Sequence, residues 1–350
     1  MRTLLFFWLF VAPGVDTLQV MFWNVENFFD WRNDSTTVSD IEFSATGERH
    51  WTWKRFQAKA NAFAKALFWV ETETGRLPDI IGLEEVENAF VLRQVLQKTA
   101  LRKLDYKYVH YDSPDSRGID VALLYRSSRL ELLDSKPCHL YAADTVMATR
   151  DILLGVFRRA GSPVMPDPLS FAVLVNHHPS KYGGAAESEP RRRIAVERLR
   201  FLTDSLVAIG FDRIIAGGDF NDTPDNPVFG LLEPALAPMH MDLFRHGLGT
   251  IKYDGKWDLI DHIYVSPALV SAPMSESATD SSLGDADQQM DNGGNHPSAC
   301  ARMRILRIPF LLTRDTVHSG EKPLRTYTGP RLTGGVSDHL PVLLEVSFPP

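Results

Sequence analysis

Four segments concentrate the side chains that could do chemistry, and each sits beside an apolar run. In the first, Ile214-Ile215-Ala216-Gly217-Gly218-Asp219-Phe220-Asn221-Asp222, a buried-strand pattern ends in two glycines and then delivers a carboxylate and a carboxamide two residues apart. Such a pair can aim at one reacting centre: Asp219 orients a water, and Asn221 donates to an oxygen on which charge builds. An Asx-rich turn after an edge strand would read the same way, so this segment does not decide the matter alone.

In the second, Gly334-Gly335-Val336-Ser337-Asp338-His339-Leu340-Pro341, an acid stands beside an imidazole just before the last apolar run. Asp338 can bind a metal or orient a group, while His339 takes or gives a proton. The third, Asn176-His177-His178-Pro179-Ser180-Lys181, offers an imidazole for a non-bridging phosphate oxygen or a leaving oxygen. Its two histidines are adjacent rather than spaced to share one face, which argues against joint zinc ligation, and a core histidine is the competing reading.

The fourth is a pair of strand ends, Phe22-Trp23-Asn24-Val25-Glu26-Asn27 and Ile80-Ile81-Gly82-Leu83-Glu84-Glu85-Val86-Glu87. Carboxamide and carboxylate oxygens suit Mg2+, Mn2+ or Ca2+, which retain water and bind substrate phosphate directly. Acidic clusters are commonly solvated surface; these follow apolar strands instead. Arg117 and the Arg191-Arg192-Arg193 run add guanidinium groups suited to bidentate phosphate binding, although the run also fits a solvated first helical turn. Trp51 and Trp53 could stack on a base or pack a loop.

These groups lie from residue 24 to residue 339, so both ends of the chain must meet at one site and a single domain over 18–350 is expected. Apolar runs predict strands at Leu18 to Trp23, Ile80 to Leu83, Val121 to Tyr125, Phe171 to Val175, Ile214 to Ala216, Leu259 to Val265 and Val342 to Val346. Phe56, Ala60, Phe63, Leu67 and Val70 recur at helical spacing and predict a helix that stops before Gly75 and Pro78; a second helix is expected after Pro190. Gly161 to Pro168 reads as a loop, and Ser271 to Pro297 as a mobile insertion. Strands that alternate with helices and also come in pairs point to a layered α/β protein with mixed sheets.

The 350 residues are 44% hydrophobic and 23% charged, enough to bury a large core. Their net charge of -7 excludes the broad basic field of a nucleic-acid-coating protein, so any contact with a polyanion must be local or carried by a metal. Residues 1–17, with Arg2 ahead of the apolar run Leu4 to Ala12, read as a signal peptide and predict export to a periplasmic or extracellular space. Two cysteines, Cys138 and Cys300, exclude a disulfide framework or a cysteine zinc site; whether they pair is open.

Taken in order, WNVENFFD, IIGLEEVEN, RGIDVALLY, NHHPS, GGDFND, IDHIYVS and RTYTGPRLTGGVSDHLP resemble the endonuclease/exonuclease/phosphatase superfamily, most of all a bacterial branch of it, across residues 20 to 346. That resemblance implies a four-layer α/β sandwich, two mixed β-sheets packed face to face with helices outside. It implies metal ligands at Asn24, Glu85 and Asp338, with Glu85 rather than Glu84 at the third position of a Leu-Gln-Glu pattern. Asp219 and Asn221 match the pair that positions nucleophile and scissile phosphate, and His339 matches the general base with Asp261 as its support. His177, followed by Pro179 and Ser180, matches the phosphate-contacting histidine of deoxyribonuclease-like members; His178 is the alternative register. Arg117, His178 and Arg191 are the expected substrate contacts. Where apurinic-site endonucleases carry a tyrosine, this chain has Arg117-Gly118-Ile119-Asp120, which argues against abasic-site repair.

The expected activity is therefore metal-dependent phosphodiester hydrolysis with Mg2+ or Mn2+, Ca2+ being the third candidate, by an exported, monomeric nuclease with no stable protein partner. A phosphatase or phosphodiesterase acting on inositol phosphates or phospholipid headgroups is the second reading, favoured by the acidic net charge. A binding module that has lost catalysis is the third, and neither the Asp nor the His whose loss would mark it is missing.

Overall fold

The structure, a computed structural model, describes residues 16–34, 37–161, 170–181, 183–270 and 301–348. The signal peptide expected over 1–17 lies outside these residues except for its last two, which already belong to a strand; the insertion expected at 271–297, Cys300 and most of the 161–168 loop lie outside them as well. Cys138 is a free, buried thiol.

Twelve strands form two six-stranded mixed sheets. We number them β1 (Asp16–Phe28), β2 (Ile80–Val86), β3 (Tyr106–His110), β4 (Asp120–Arg126), β5 (Leu130–Cys138), β6 (Ile152–Arg159), β7 (Phe171–His177), β8 (Ile214–Asp219), β9 (Ala237–Pro238), β10 (Asp261–Val265), β11 (Ala301–Ile305) and β12 (Val342–Phe348). The first sheet runs β11-β12-β1-β2-β4-β3 and the second β9-β10-β8-β7-β6-β5. Each has one parallel pair at its centre, β1 with β2 and β7 with β8, flanked by antiparallel neighbours.

Side chains alternate across a strand, so each central strand feeds two cores. Along β1, Leu18, Val20 and Phe22 enter the layer between the sheets, where they meet Val173, Val175 and Ile215. Met21, Trp23 and Val25 point the other way, into a core completed by Phe56, Phe63 and Leu67 of helix α2 (Trp53–Thr74), which follows the short α1 (Val38–Glu42), and by Val91 and Val95 of α3 (Ala89–Lys98). The outer face of the second sheet packs Ala172, Leu174, Ile214 and Ala216 against Ala195, Leu199 and Leu202 of α4 (Ala185–Ala208). The result is the four-layer α/β sandwich. Close approach of the sheets requires glycine: a Cβ on Gly217 would lie 2.4 Å from the ring of Phe22, and one on Gly82 2.5 Å from it.

Helix α2 stops at Gly75, whose left-handed backbone (φ 79°) lets its amide cap the Glu71 carbonyl. The second helix differs from expectation. It begins at Ala185, ahead of Pro190, because proline withholds only its own donor and the turn before it is tied by the Ser188 hydroxyl donating to the Gly184 carbonyl at 2.6 Å. No helix among the described residues is long and apolar enough to cross a membrane.

Candidate active site

The site forms where the two parallel pairs end side by side. In the second sheet, register places Asp219 at the end of β8 directly between His177 of β7 and Asp261 of β10. In the first, Asn24 of β1 stands opposite Glu84 of β2. Both strands of that pair then break register, β1 between Asn24 and Phe28 and β2 between Glu84 and Val86. Bulges re-aim side chains, and here Glu26, Asn27 and Glu85 all take left-handed backbone, as does Asn221 across the cleft (φ 46°, 51°, 64° and 53°). Such conformations are costly for residues with a Cβ and concentrate at functional sites.

The closing loop is stitched to the end of β1. Ser337 Oγ donates to the Asn24 carbonyl at 2.6 Å and accepts the His339 amide at 2.9 Å, while the Trp23 indole donates to the His339 carbonyl at 3.0 Å. These bonds carry the His339 imidazole into the row of the second sheet. Its Nδ1 lies 2.9 Å from Asp261 Oδ2 and its Nε2 lies 3.8 Å from Asp219 Oδ2.

Asp219 is the hub. Its Oδ1 accepts the Asn221 amide at 2.8 Å, and its Oδ2 accepts Asn24 Nδ2 at 3.0 Å and Asn221 Nδ2 at 3.2 Å, with His177 Nε2 3.7 Å away. The Asn24 carboxamide oxygen accepts the Glu26 amide at 2.9 Å with one of its two lone pairs. Gly218 lets the hub close up: it takes φ 129°, and a Cβ there would meet the Asn176 carbonyl oxygen at 2.1 Å.

Glu85 faces this row from the first sheet. One carboxylate oxygen accepts the Asn27 amide at 2.7 Å and lies 3.5 Å from the Arg117 guanidinium; the other is 3.9 Å from His177 Nε2. Burial pushes the Glu85 carboxyl up, but Arg117 and the Asn27 amide outweigh it and hold the group below its ordinary range. Arg117 also donates to Asn27 Oδ1 at 2.7 Å and keeps part of its side chain exposed at the rim.

The electrostatics separate the groups. Burial pushes the Asp219 carboxyl up to about 7; the His339 charge opposes this and Asp261 adds to it. Burial works against an imidazolium at His339, yet Asp261 and Asp219 together hold its proton affinity well above normal. His177 goes the other way. Burial first, then the charges of Arg150 and Arg117, keep it neutral, which leaves one ring N–H to offer to a phosphoryl oxygen.

A hard divalent cation fits this donor set. The carboxylates of Glu84, Glu85, Asp219 and Asp261 converge, and both Glu84 oxygens are buried without a hydrogen-bond partner. Burial, then the neighbouring charges of Asp261 and Asp219, raise the Glu84 carboxyl well above its usual range. Asp219, Asp261 and His339 each also place a ligand atom within 4.8 Å of the others. Oxygen-rich sites with surplus negative charge select Mg2+, Mn2+ or Ca2+ over soft metals.

Two of the expected contacts stand apart. His178 is buried on the opposite face of β7, its ring 4.4 Å from that of Phe220 and neither nitrogen partnered, so His177 rather than His178 joins the carboxylates. Arg191 is exposed on α4 and donates to the Ala148 carbonyl at 3.5 Å. Its neighbour Arg192 is buried in an ion pair with Asp222 (3.1 Å) and fastens the turn after β8. Asp338 lies 3.9 Å from His339 Nε2 and pairs with Arg325 at 3.1 Å.

Sequence reasoning passed over Lys59, Arg150 and Arg325. Lys59 had a signal, a lone cation on the Phe56, Ala60 and Phe63 face of α2, where it is fully buried and donates to the Glu26 carbonyl and, at 2.9 Å, to Thr326 Oγ1. Arg150 is buried against Asp115 (3.1 Å) and the His178 carbonyl (2.7 Å), and nothing local in the sequence singles it out. Trp51 is packed, its indole donating to the Phe29 carbonyl at 2.8 Å, whereas Trp53 is exposed.

Comparison with known proteins agrees with this geometry. Residues 19–285 match the model of the Endonuclease/Exonuclease/phosphatase family. Among curated proteins the chain is similar to Protein angel of Drosophila melanogaster, 27% identical over 202 residues, or 53% of this chain and 54% of that protein. The match thus spans about half the length of that relative. Solved structures with the same fold include the human Nocturnin catalytic domain with bound sulfate (TM-score 0.54, 17% identity, 95% of each chain). A Bacteroides thetaiotaomicron mannosyl-6-phosphatase is comparable (0.53, 16%, 95% of this chain and 100% of that one). So is D. rerio TDP2 complexed with a single-strand DNA product (0.51, 14%, 95% and 99%). The chain belongs to the endonuclease/exonuclease/phosphatase family, whose members hydrolyse phosphoric ester bonds.

Proposed function

We propose that this protein is a metal-dependent phosphodiester hydrolase that acts on nucleic acid after export. The observation that carries the chemistry is the row His177, Asp219, Asp261 on three adjacent strands, with His339 closing on it and Glu85 facing it. In this reading Asp219 and Asn221 position the attacking water, which lines up opposite the leaving oxygen. His339 takes the water's proton at Nε2 while Asp261 holds Nδ1–H and so fixes the tautomer. His177 and the Asn221 carboxamide donate to the phosphoryl oxygens as charge grows on them. A Mg2+ or Mn2+ ion held by Glu85 and Asn24 would neutralise charge on the phosphate and the leaving oxygen.

Nucleic acid as substrate is supported by the partly exposed Arg117 at the rim and by the single-strand DNA product bound to the structural neighbour D. rerio TDP2. Export is supported by the apolar run behind Arg2. The net charge of -7 favours a second reading, a phosphatase or phosphodiesterase for smaller phosphoric esters. Incubating the purified protein with plasmid DNA, single-stranded oligonucleotides, sugar phosphates and phospholipid, with and without chelator, separates the two. Cleavage of DNA that stops on chelation is expected; phosphate release from monoesters with DNA left intact would replace the first reading by the second.

A further inference from the structure

The closing motif carries Arg325 at Arg325-Thr326-Tyr327, and this side chain joins two carboxylates that come from opposite ends of the chain. Its Nε and Nη2 both lie 2.9 Å from Glu26 Oε1, and Nη2 lies 3.1 Å from Asp338 Oδ2. The other Glu26 oxygen accepts the Thr326 amide at 3.0 Å. Lys59 anchors the same corner from beneath through the Glu26 carbonyl and Thr326 Oγ1. Glu26 is almost fully buried and sits on the left-handed bulge of β1, so its carboxylate cannot swing out to water.

Two carboxylates held this close need a counter-charge. A divalent ion is the usual means, but a planar guanidinium that bridges both does the same work with fixed geometry. By contrast, no guanidinium bridges the carboxylates on the Asp219 side: His339 lies against Asp261 and Asp219, but both Glu84 oxygens lack a partner, and the guanidinium contact of Glu85 is the longer one, 3.5 Å to Arg117. The site is thus divided into a half closed by a bridging guanidinium and a half whose Glu84 and Glu85 carboxylates have none between them. Half of the Arg325 side chain remains exposed at the mouth.

We propose that Arg325 is a permanent counter-cation for Glu26 and Asp338, taking the place of a second divalent ion, so that the site binds one exchangeable metal, on the Glu85 side. Asp338 is then a ligand of Arg325 rather than of the metal. This inference rests on the metal-dependent reading above and specifies its stoichiometry. It also assigns the RTY segment of the closing motif a role that the catalytic row leaves open.

Isothermal titration and equilibrium dialysis with Mn2+ on the full, folded protein test it. The wild type is expected to bind one ion, and Glu85→Gln to lose it. Arg325→Ala, which exposes two uncompensated carboxylates, is expected to bind two. The double variant Arg325→Ala with Glu26→Gln, which removes one of those carboxylates, is expected to return to one. Circular dichroism verifies folding, and Arg325→Gln serves if the alanine variant does not fold. Two ions bound by the wild type, or one bound by a folded Arg325 variant, would overturn the inference and leave metal dependence standing. No ion bound by the wild type would remove the metal reading, and this inference with it.

Discussion

His339 and Asp261 form a dyad: Asp261 lies 2.9 and 3.1 Å, by its two oxygens, from His339 Nδ1, which turns Nε2 of the ring toward Asp219. The two residues are 78 apart in sequence, on β10 and on the loop before β12. Their meeting fixes which nitrogen carries the proton and which faces the reacting centre. In the protein alone, the two carboxylates hold the imidazole well above its normal proton affinity. A cation on the neighbouring carboxylates would share their charge and free His339 to act as a base.

Asp261→Asn should keep the fold and lose the tautomer. A fall in kcat of about 10^3- to 10^4-fold is expected, by analogy with removal of the orienting carboxylate from a catalytic triad. The sign of the pH effect follows from the cause. Asp261 raises the proton affinity of His339, so removing it lowers that affinity, and the acid limb of the rate profile should move to lower pH. A pH-rate series on both proteins checks this; an unmoved limb would separate His339 from the titration.

His177→Ala should cost about 10^2- to 10^3-fold in kcat, the usual loss for one donor to a developing oxyanion. KM should change much less, because the interaction strengthens only as charge builds. Steady-state kinetics on a single defined oligonucleotide gives both constants.

The buried histidines should withdraw stability from the fold in acid, while the buried carboxyls of Glu26, Glu87 and Asp219, pushed up by burial, work the other way. His178, His240 and His262 are buried around Phe220 and Tyr264, and burial pushes His178 down to about 3 and His240 down to about 4. A histidine depressed in the folded state stabilises fully above its unfolded value near 6.5 and loses that contribution as pH falls toward the folded value. Each tenfold change in proton affinity is about 1.4 kcal/mol, so roughly 3 kcal/mol is lost between pH 6.5 and 4 for each of His178 and His240. Thermal melts across this range should show His178→Leu gaining on the wild type as pH falls, since neither ring nitrogen of His178 has a partner to lose; a gap between the two proteins that does not change with pH would contradict this.

Much of the site could be read from the chain because strand ends announce themselves: an apolar run that stops at Asp219 or His177 places that residue at the carboxyl end of a central strand. Two adjacent glutamates with no apolar residue between them did not show which way each turns: the bulge brings Glu85 toward His177 and leaves Glu84 beneath Asp219 and Asp261. What escaped was long-range. Strand β5 carries Glu131, Asp134 and Lys136 on an edge and so has no apolar run to betray it. Arg325 and Arg150 act through partners more than 30 residues away, Glu26 and Asp115, and no local pattern encodes such pairs.

Arg117 and Arg191 should separate cleanly. Arg117 touches Glu85 and Asn27 and is partly exposed at the site, so Arg117→Ala should raise KM about tenfold for a nucleic acid, the loss of one charge-assisted contact. Arg191→Ala removes only an exposed contact to the Ala148 carbonyl and should leave kcat/KM within about twofold. Equal losses in both would return Arg191 to the substrate surface.

Asp219 receives Asn24 and Asn221 and faces both His177 and His339, so one measurement bears on the whole arrangement: the single-turnover rate of phosphodiester cleavage in saturating Mg2+ for the wild type and for Asp219→Ala. A folded variant slowed by about 10^3-fold or more is the predicted result. A folded variant that cleaves at the full rate would mean that the chemistry takes place elsewhere.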